Sequence, residues 1–164
     1  MNSKIDIQKL LENSPLLEAS FHETLRVTSV NSSARDIEAP VTVGNKGLQP
    51  GSRLLMPYRQ LHFEESNFGP QPQEFNTDRF LKNEGLSRSA NFRPFGGGST
   101  LCSGRFIAKR EVMAFVASVI HLYDLRLQNP NQPFPRMDET KPTLGIMDPL
   151  KGDDLVLVVS PRVQ

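Results

Sequence analysis

Residues 92–105 read FRPFGGGSTLCSGR and contain the single cysteine of the chain, Cys102, set between three glycines and an apolar segment with helical periodicity. A cysteine just ahead of a helix lies near unpaired amides and the positive end of the helix dipole, which favour thiolate over thiol. That state suits metal ligation or nucleophilic attack. A lone cysteine is more often a small buried hydrophobe, but the glycine run before Cys102 and Ser-Gly-Arg after it argue against that here. A phosphate-cradling loop ends in Gly-Lys-Ser/Thr, and GGGSTLCSG holds no lysine. A cysteine phosphatase needs an arginine where this chain has Ala108, and a thiol hydrolase needs a histidine base, whereas His22, His62 and His121 are scattered. No second cysteine or nearby histidine completes a tetrahedral zinc set.

A metal that needs one protein ligand because a macrocycle supplies the others fits this pattern, and haem iron is such a metal. A thiol-dependent enzyme built on Cys102 remains the less favoured alternative.

Composition bounds the rest. The chain has 164 residues, enough for one domain with a real core, with 37% hydrophobic and 23% charged residues, 13 prolines and 11 glycines. That is globular but rich in turns, which disfavours a single large bundle. A formal net charge of +1 lacks the basic excess of a nucleic-acid binder, so no nucleic-acid partner is expected. One cysteine makes no internal disulfide, and no apolar run approaches the ~20 residues of a membrane span. No membrane anchor is expected within these residues.

The first 30 residues read as helical, broken at ENSPLLEA, where Ser14 is placed to cap and Pro15 to open the second segment. Leu17, Phe21 and Leu25 then form one stripe, with Glu23 and Arg26 one turn apart. From Val27 to Pro57 short β-type pieces, VTV and RLLM, are separated by the turn signals GNKG and QPGS. A helical turn is expected near Tyr58–His62, followed to residue 95 by an irregular meander with few periodic apolar positions. Stretches of that kind usually carry a function or a specific packing partner. A second long helix is expected from Ser103 to about Leu125, buried on most sides, and LGIMDPLKGDDLVLVVS reads as a terminal hairpin.

The pattern Phe95-x-x-Gly98-x-x-x-Cys102-x-Gly104, continuing to Ala108, resembles the haem-binding signature of the cytochrome P450 superfamily. Glu23-x-x-Arg26 and Phe75-x-x-x-Arg79-Phe80 precede it in the order that family has, and the style of the meander looks most like fungal members. The resemblance covers nearly the whole chain but only about the last third of the family's usual length. It implies an α+β, mainly α fold: the C-terminal part of the P450 architecture, with two long helices, small β-sheets, an irregular meander and a cysteine-ligand loop. Residues 1–164 would then be one partial domain, without the distal helices and the N-terminal part.

By that resemblance Cys102 is the axial ligand of haem b, Phe95 shields its sulfur, and Gly98, Gly104 and Ala108 allow close approach to the macrocycle. Glu23, Arg26 and Arg79 form a buried network that anchors the meander. Arg35 and Arg93 are candidates for the haem propionates; Thr100 stands where many relatives have Arg or His and offers only a hydroxyl. Arg105, Lys109 and Arg110 would form a basic edge for an NADPH-cytochrome P450 reductase-type electron donor. Val30 to Ser33 and Leu144 to Ile146 would border a small apolar substrate, lipid- or sterol-like or a secondary metabolite. The implied activity is a monooxygenase, the chain a fragment that acts only when completed; the alternative is a truncated remnant or interaction module of the same fold. Full-length relatives are mostly endoplasmic-reticulum proteins. A chain of this extent is also expected to leave a large apolar face of the second long helix uncovered.

Overall fold

The computed structural model describes residues 6–141 and 145–162, without the side chain of residue 100. Helix α1 (Ile7–Asn13) is capped by Asp6, whose carboxylate accepts the Lys9 N–H at 3.0 Å. Helix α2 (Pro15–Thr28) opens on a proline, whose missing N–H would have had no partner in the first turn. Ser14 occupies the capping position, but its hydroxyl makes no capping bond; its carbonyl alone enters the helix, accepting from Glu18 N–H at 3.0 Å. The sequence expectation of a serine side-chain cap is corrected there. Phe21 and Leu25 face the core, and so do the fully buried Glu23 and Arg26.

Three two-stranded antiparallel sheets follow. Strand β1 (Ser32–Asp36) pairs with β4 (Arg53–Pro57), placing Ala34 opposite Leu55, and β2 (Val41–Val43) pairs with β3 (Lys46–Leu48). Gly44, at φ +58°, makes the tight β2–β3 turn accessible without a Cβ penalty. Strands β2 and β4 fall on VTV and RLLM. Strand β1 was not anticipated, and β3 takes over half of the expected GNKG turn.

Short helices α3 (Tyr58–His62), α4 (Glu65–Phe68) and α5 (Asp78–Lys82) punctuate the meander, with a 3₁₀ turn at Leu86–Arg88. This segment looks poor in periodic apolar residues, yet Phe68, Phe80, Leu86 and Phe92 pack with Ala19, Phe21 and Leu25 as the main core cluster. Each comes from a separate turn, so no helical or strand period connects them. The Phe80 and Phe92 rings lie 5.1 Å apart, within the range of favourable aromatic pairs.

Helix α6 (Arg105–Leu122) is shorter than expected, because Tyr123–Leu127 forms strand β5. Its partner is β6 (Leu157–Pro161), with Leu125 opposite Val159. The expected terminal hairpin is therefore corrected: its second apolar run pairs with the chain leaving α6. Its first run returns to the end of α2, where Met147 N–H donates to Thr28 O at 2.9 Å and Val30 N–H to Gly145 O at 2.8 Å. The expectation of a helix buried on most sides is corrected too, since Met113 is its one buried residue among those described. Phe106, Ile107 and Phe115 are 66%, 60% and 70% exposed. The described residues contain no helix long and apolar enough to cross a membrane.

Candidate functional site

One helical turn separates Glu23 from Arg26, and α2 turns both inward. The pair is bidentate, with Arg26 Nε 2.7 Å from Glu23 Oε2 and Nη2 2.7 Å from Oε1. The remaining donor capacity of Arg26 goes to the carbonyls of His62 (2.8 Å), Pro72 (2.6 Å) and Glu74 (3.1 Å). From α5, Arg79 donates to the carbonyls of Phe68, Pro70 (2.9 Å) and Gln71 (2.6 Å), while its Nε faces Glu23 Oε1 at 3.5 Å. Glu23 Oε1 also accepts Asn76 N–H at 2.8 Å. An irregular loop has no ladder for its carbonyls, and buried carbonyls need donors. Two planar guanidiniums supply them here, and one carboxylate, bidentate to Arg26 and 3.5 Å from Arg79 Nε, offsets one of the two positive charges. The three residues grouped by sequence pattern are thus one contact set.

His62, one of three histidines scattered along the sequence, sits beside this network. Its Nε2 accepts Arg93 N–H at 2.9 Å and its Nδ1 lies 3.4 Å from Ser29 Oγ. Burial above all, with the Arg26 and Arg59 charges adding, holds its pKa down to about 4. No spacing rule signals this residue, because its partners are distant in sequence. His22 is packed among Phe21, Phe80 and Phe92, and burial lowers its pKa as well.

The glycine loop follows Arg93. Gly96 (φ +81°) and Gly98 (φ +62°) are left-handed, a region in which side chains are strained. Gly97 is extended; a Cβ there would lie 2.5 Å from Arg93 Nη1. The loop closes where Cys102 N–H donates to Phe95 O at 3.0 Å, and the Asn31 side chain donates to Pro94 O. Cys102 is exposed, and its residue lines a cavity of about 500 Å³ together with Phe95, Ala108, Val112, Ser33 and Ile146. Phe95 is packed against the aromatic core. At Gly104 a Cβ would make ordinary contact with the sulfur at 3.7 Å, so nothing in this chain alone demands glycine there.

Arg35 and Arg93 flank the loop. Arg35 Nη2 lies 3.7 Å from where a Gly98 Cβ would be, and Arg93 Nε donates to Ala90 O at 2.6 Å. The Thr100 side chain and Leu144 fall outside the described residues. The segment 30–33 and Ile146 meet: Ser29 and Ile146 form a β-bridge beside the cavity. Of the basic edge, Arg105 donates to Cys102 O at 2.8 Å and lies over the Phe106 ring at 4.2 Å, Lys109 is bonded to Glu18 on α2, and Arg110 is exposed. Lys109 is therefore paired within the chain, at a partly exposed position. No group of three or more His, Cys, Asp or Glu that could hold a metal occurs among the described residues.

A family model described as cytochrome P450 matches residues 2–154. The chain belongs to the cytochrome P450 family. Cytochrome P450 monooxygenase poxD of Penicillium oxalicum is 33% identical over 132 residues, 76% of this chain and 27% of that protein. The 7-alpha-hydroxycholest-4-en-3-one 12-alpha-hydroxylase of Oryctolagus cuniculus is 32% identical over 156 residues, 85% of this chain and 31% of that protein. Retinoic acid-bound cyanobacterial CYP120A1 superposes with a TM-score of 0.77 at 20% identity, over 99% of this chain and 36% of that one. The last match concerns the fold alone, and it agrees with the α+β, mainly helical architecture. This P450 chain spans under a third of the length of the two curated relatives just given.

Proposed function

We propose that this segment carries the haem-thiolate half-site of a P450 monooxygenase, which inserts one oxygen atom from O2 into an apolar substrate once the polypeptide is complete. The observation that carries the proposal is the exposed Cys102 thiol at a cavity of about 500 Å³ whose other walls are mostly apolar. The donor set fits haem b: a single sulfur, no competing metal cluster among the described residues, and two guanidiniums beside the loop for carboxylate groups. When bound, haem supplies iron-centred oxygen activation, favoured by an electron-rich thiolate.

The residues of this chain do the holding. Cys102 provides the ligand atom, and Phe95 keeps water from it on the core side. Arg35 and Arg93 receive the propionates. The Glu23–Arg26–Arg79 network fixes the meander, and through it the aromatic wall behind the loop. Residues 30–33 with Ile146 border the substrate, which is lipid- or sterol-like or a secondary metabolite in this reading; the largely apolar lining supports its apolar character. Arg105 and Arg110 are the part of the basic edge offered to an acidic reductase, with Lys109 engaged elsewhere.

The test is a carbon-monoxide difference spectrum of the reduced complete polypeptide. A red-shifted Soret band that is lost in Cys102→Ser supports the proposal; an unpigmented protein, or a band unchanged by the substitution, refutes it. A second reading, a non-catalytic module of the same fold, draws on the exposed apolar face of α6. It predicts a well-folded protein with no haem uptake.

A further inference from the structure

The base of the Cys102 loop is tied to the rest of the molecule by a residue outside the three motifs. His62 ends α3, is 0% exposed, and packs its ring near Phe68 and Phe92, with centroids 6.0 and 5.5 Å away. A main-chain N–H can only donate. The 2.9 Å contact from Arg93 N to Nε2 therefore requires a lone pair on Nε2, which puts the ring proton on Nδ1, towards Ser29 at the end of α2. The carbonyl of the same residue accepts Arg26 Nη1 at 2.8 Å. One residue thus joins the buried ion pair, through its main chain, to the cysteine loop, through its ring.

Beyond Arg93 the path is short. Gly96 N–H closes a turn on Arg93 O at 3.1 Å, and Cys102 N–H returns to Phe95 O at 3.0 Å. We infer that His62 is a positioning residue for Cys102: by accepting the Arg93 N–H it sets where the loop presents its sulfur to the cavity. The purpose of that placement rests on the haem-thiolate proposal; the tether itself does not. A second proton on the ring would oppose N–H to N–H between Arg26 of α2 and Arg59 of α3, and the depressed pKa agrees with a ring kept neutral for acceptance.

Glutamine and asparagine separate this role from packing. The glutamine amide oxygen reaches the position of Nε2 and can take the Arg93 N–H; that of asparagine reaches only the position of Nδ1. Both variants are made in the complete polypeptide. Amide exchange over residues 93–102 and the carbon-monoxide difference spectrum of the reduced protein are then measured. In His62→Gln, exchange at Arg93 and the thiolate-type Soret band should match the parent. In His62→Asn the Arg93 amide should exchange about tenfold faster or more, the loss of one buried hydrogen bond, and a large share of the Soret band should move to the thiol-ligated position. Equal behaviour of the two variants in both measurements overturns the assignment. Should the parent itself show no thiolate band, the haem proposal fails on its own. The exchange contrast then still decides the tether: faster in His62→Asn sustains it, equal rates remove it.

Discussion

Replacing Arg26 by methionine keeps much of the side-chain volume and removes a guanidinium that is 0% exposed. Two consequences can be sized from its contacts. First, the carboxylate of Glu23, also 0% exposed, keeps only Asn76 N–H at 2.8 Å and Arg79 Nε at 3.5 Å. Stranding one member of a buried pair costs about 3–5 kcal/mol. Second, the carbonyls of His62, Pro72 and Glu74 lose a donor. Each buried polar group left unpaired costs about 1–3 kcal/mol, less where water can enter. The total, about 6 kcal/mol or more, matches the whole stability of an ordinary domain, about 5–15 kcal/mol. Arg26→Met should therefore release the meander, and in most conditions unfold the segment. The assay is urea unfolding followed by far-UV circular dichroism, combined with native-state amide exchange at Asn76, whose N–H is bound to Glu23. Glu23→Gln/Arg26→Met removes both members of the bidentate pair and leaves Arg79 held only by the carbonyls of Phe68, Pro70 and Gln71. With no carboxylate left short of its partner, the double variant should be more stable than the sum of its singles predicts by about 2 kcal/mol or more. Arg26→Met within about 1 kcal/mol of the parent, or strict additivity in the cycle, would refute the account of the network.

His62 makes stability depend on pH. Its folded pKa of about 4 lies below the ordinary 6.5, so the unfolded chain binds the proton first. Stability is full above pH 6.5 and falls by about 3 kcal/mol as pH drops towards 4. His22, also lowered, acts in the same direction, and NMR titration of the three histidines checks the assignment. Asp138, held at about 2 by Lys141 and Thr140, adds its loss only below pH 3.8, so the two windows are separable. Gly98→Ala should cost about 1–3 kcal/mol because φ is +62°, whereas Gly97→Ala displaces the end of a flexible arginine and should cost less; paired thermal melts read the difference. Phe115→Glu, at a side chain 70% exposed, should reduce self-association of the 164-residue chain in sedimentation velocity while stability stays within about 0.5 kcal/mol.

What the sequence by itself determined is local or motif-bound: the opening of a helix at Pro15, the one-turn spacing of Glu23 and Arg26, the glycine run ahead of Cys102, and the family these motifs indicate. These depend on spacings within a few residues, where φ/ψ limits and helical period act directly. Tertiary structure alone decided that Tyr123–Leu127 leaves the helix to pair with Leu157–Pro161, that four meander side chains complete the core under α2, and that His62 joins the network to the loop. Each of those outcomes depends on partners far apart in the chain. Burial and hydrogen-bond satisfaction select among such pairings only once the whole surface is assembled, and no short window of sequence contains both halves of the contact.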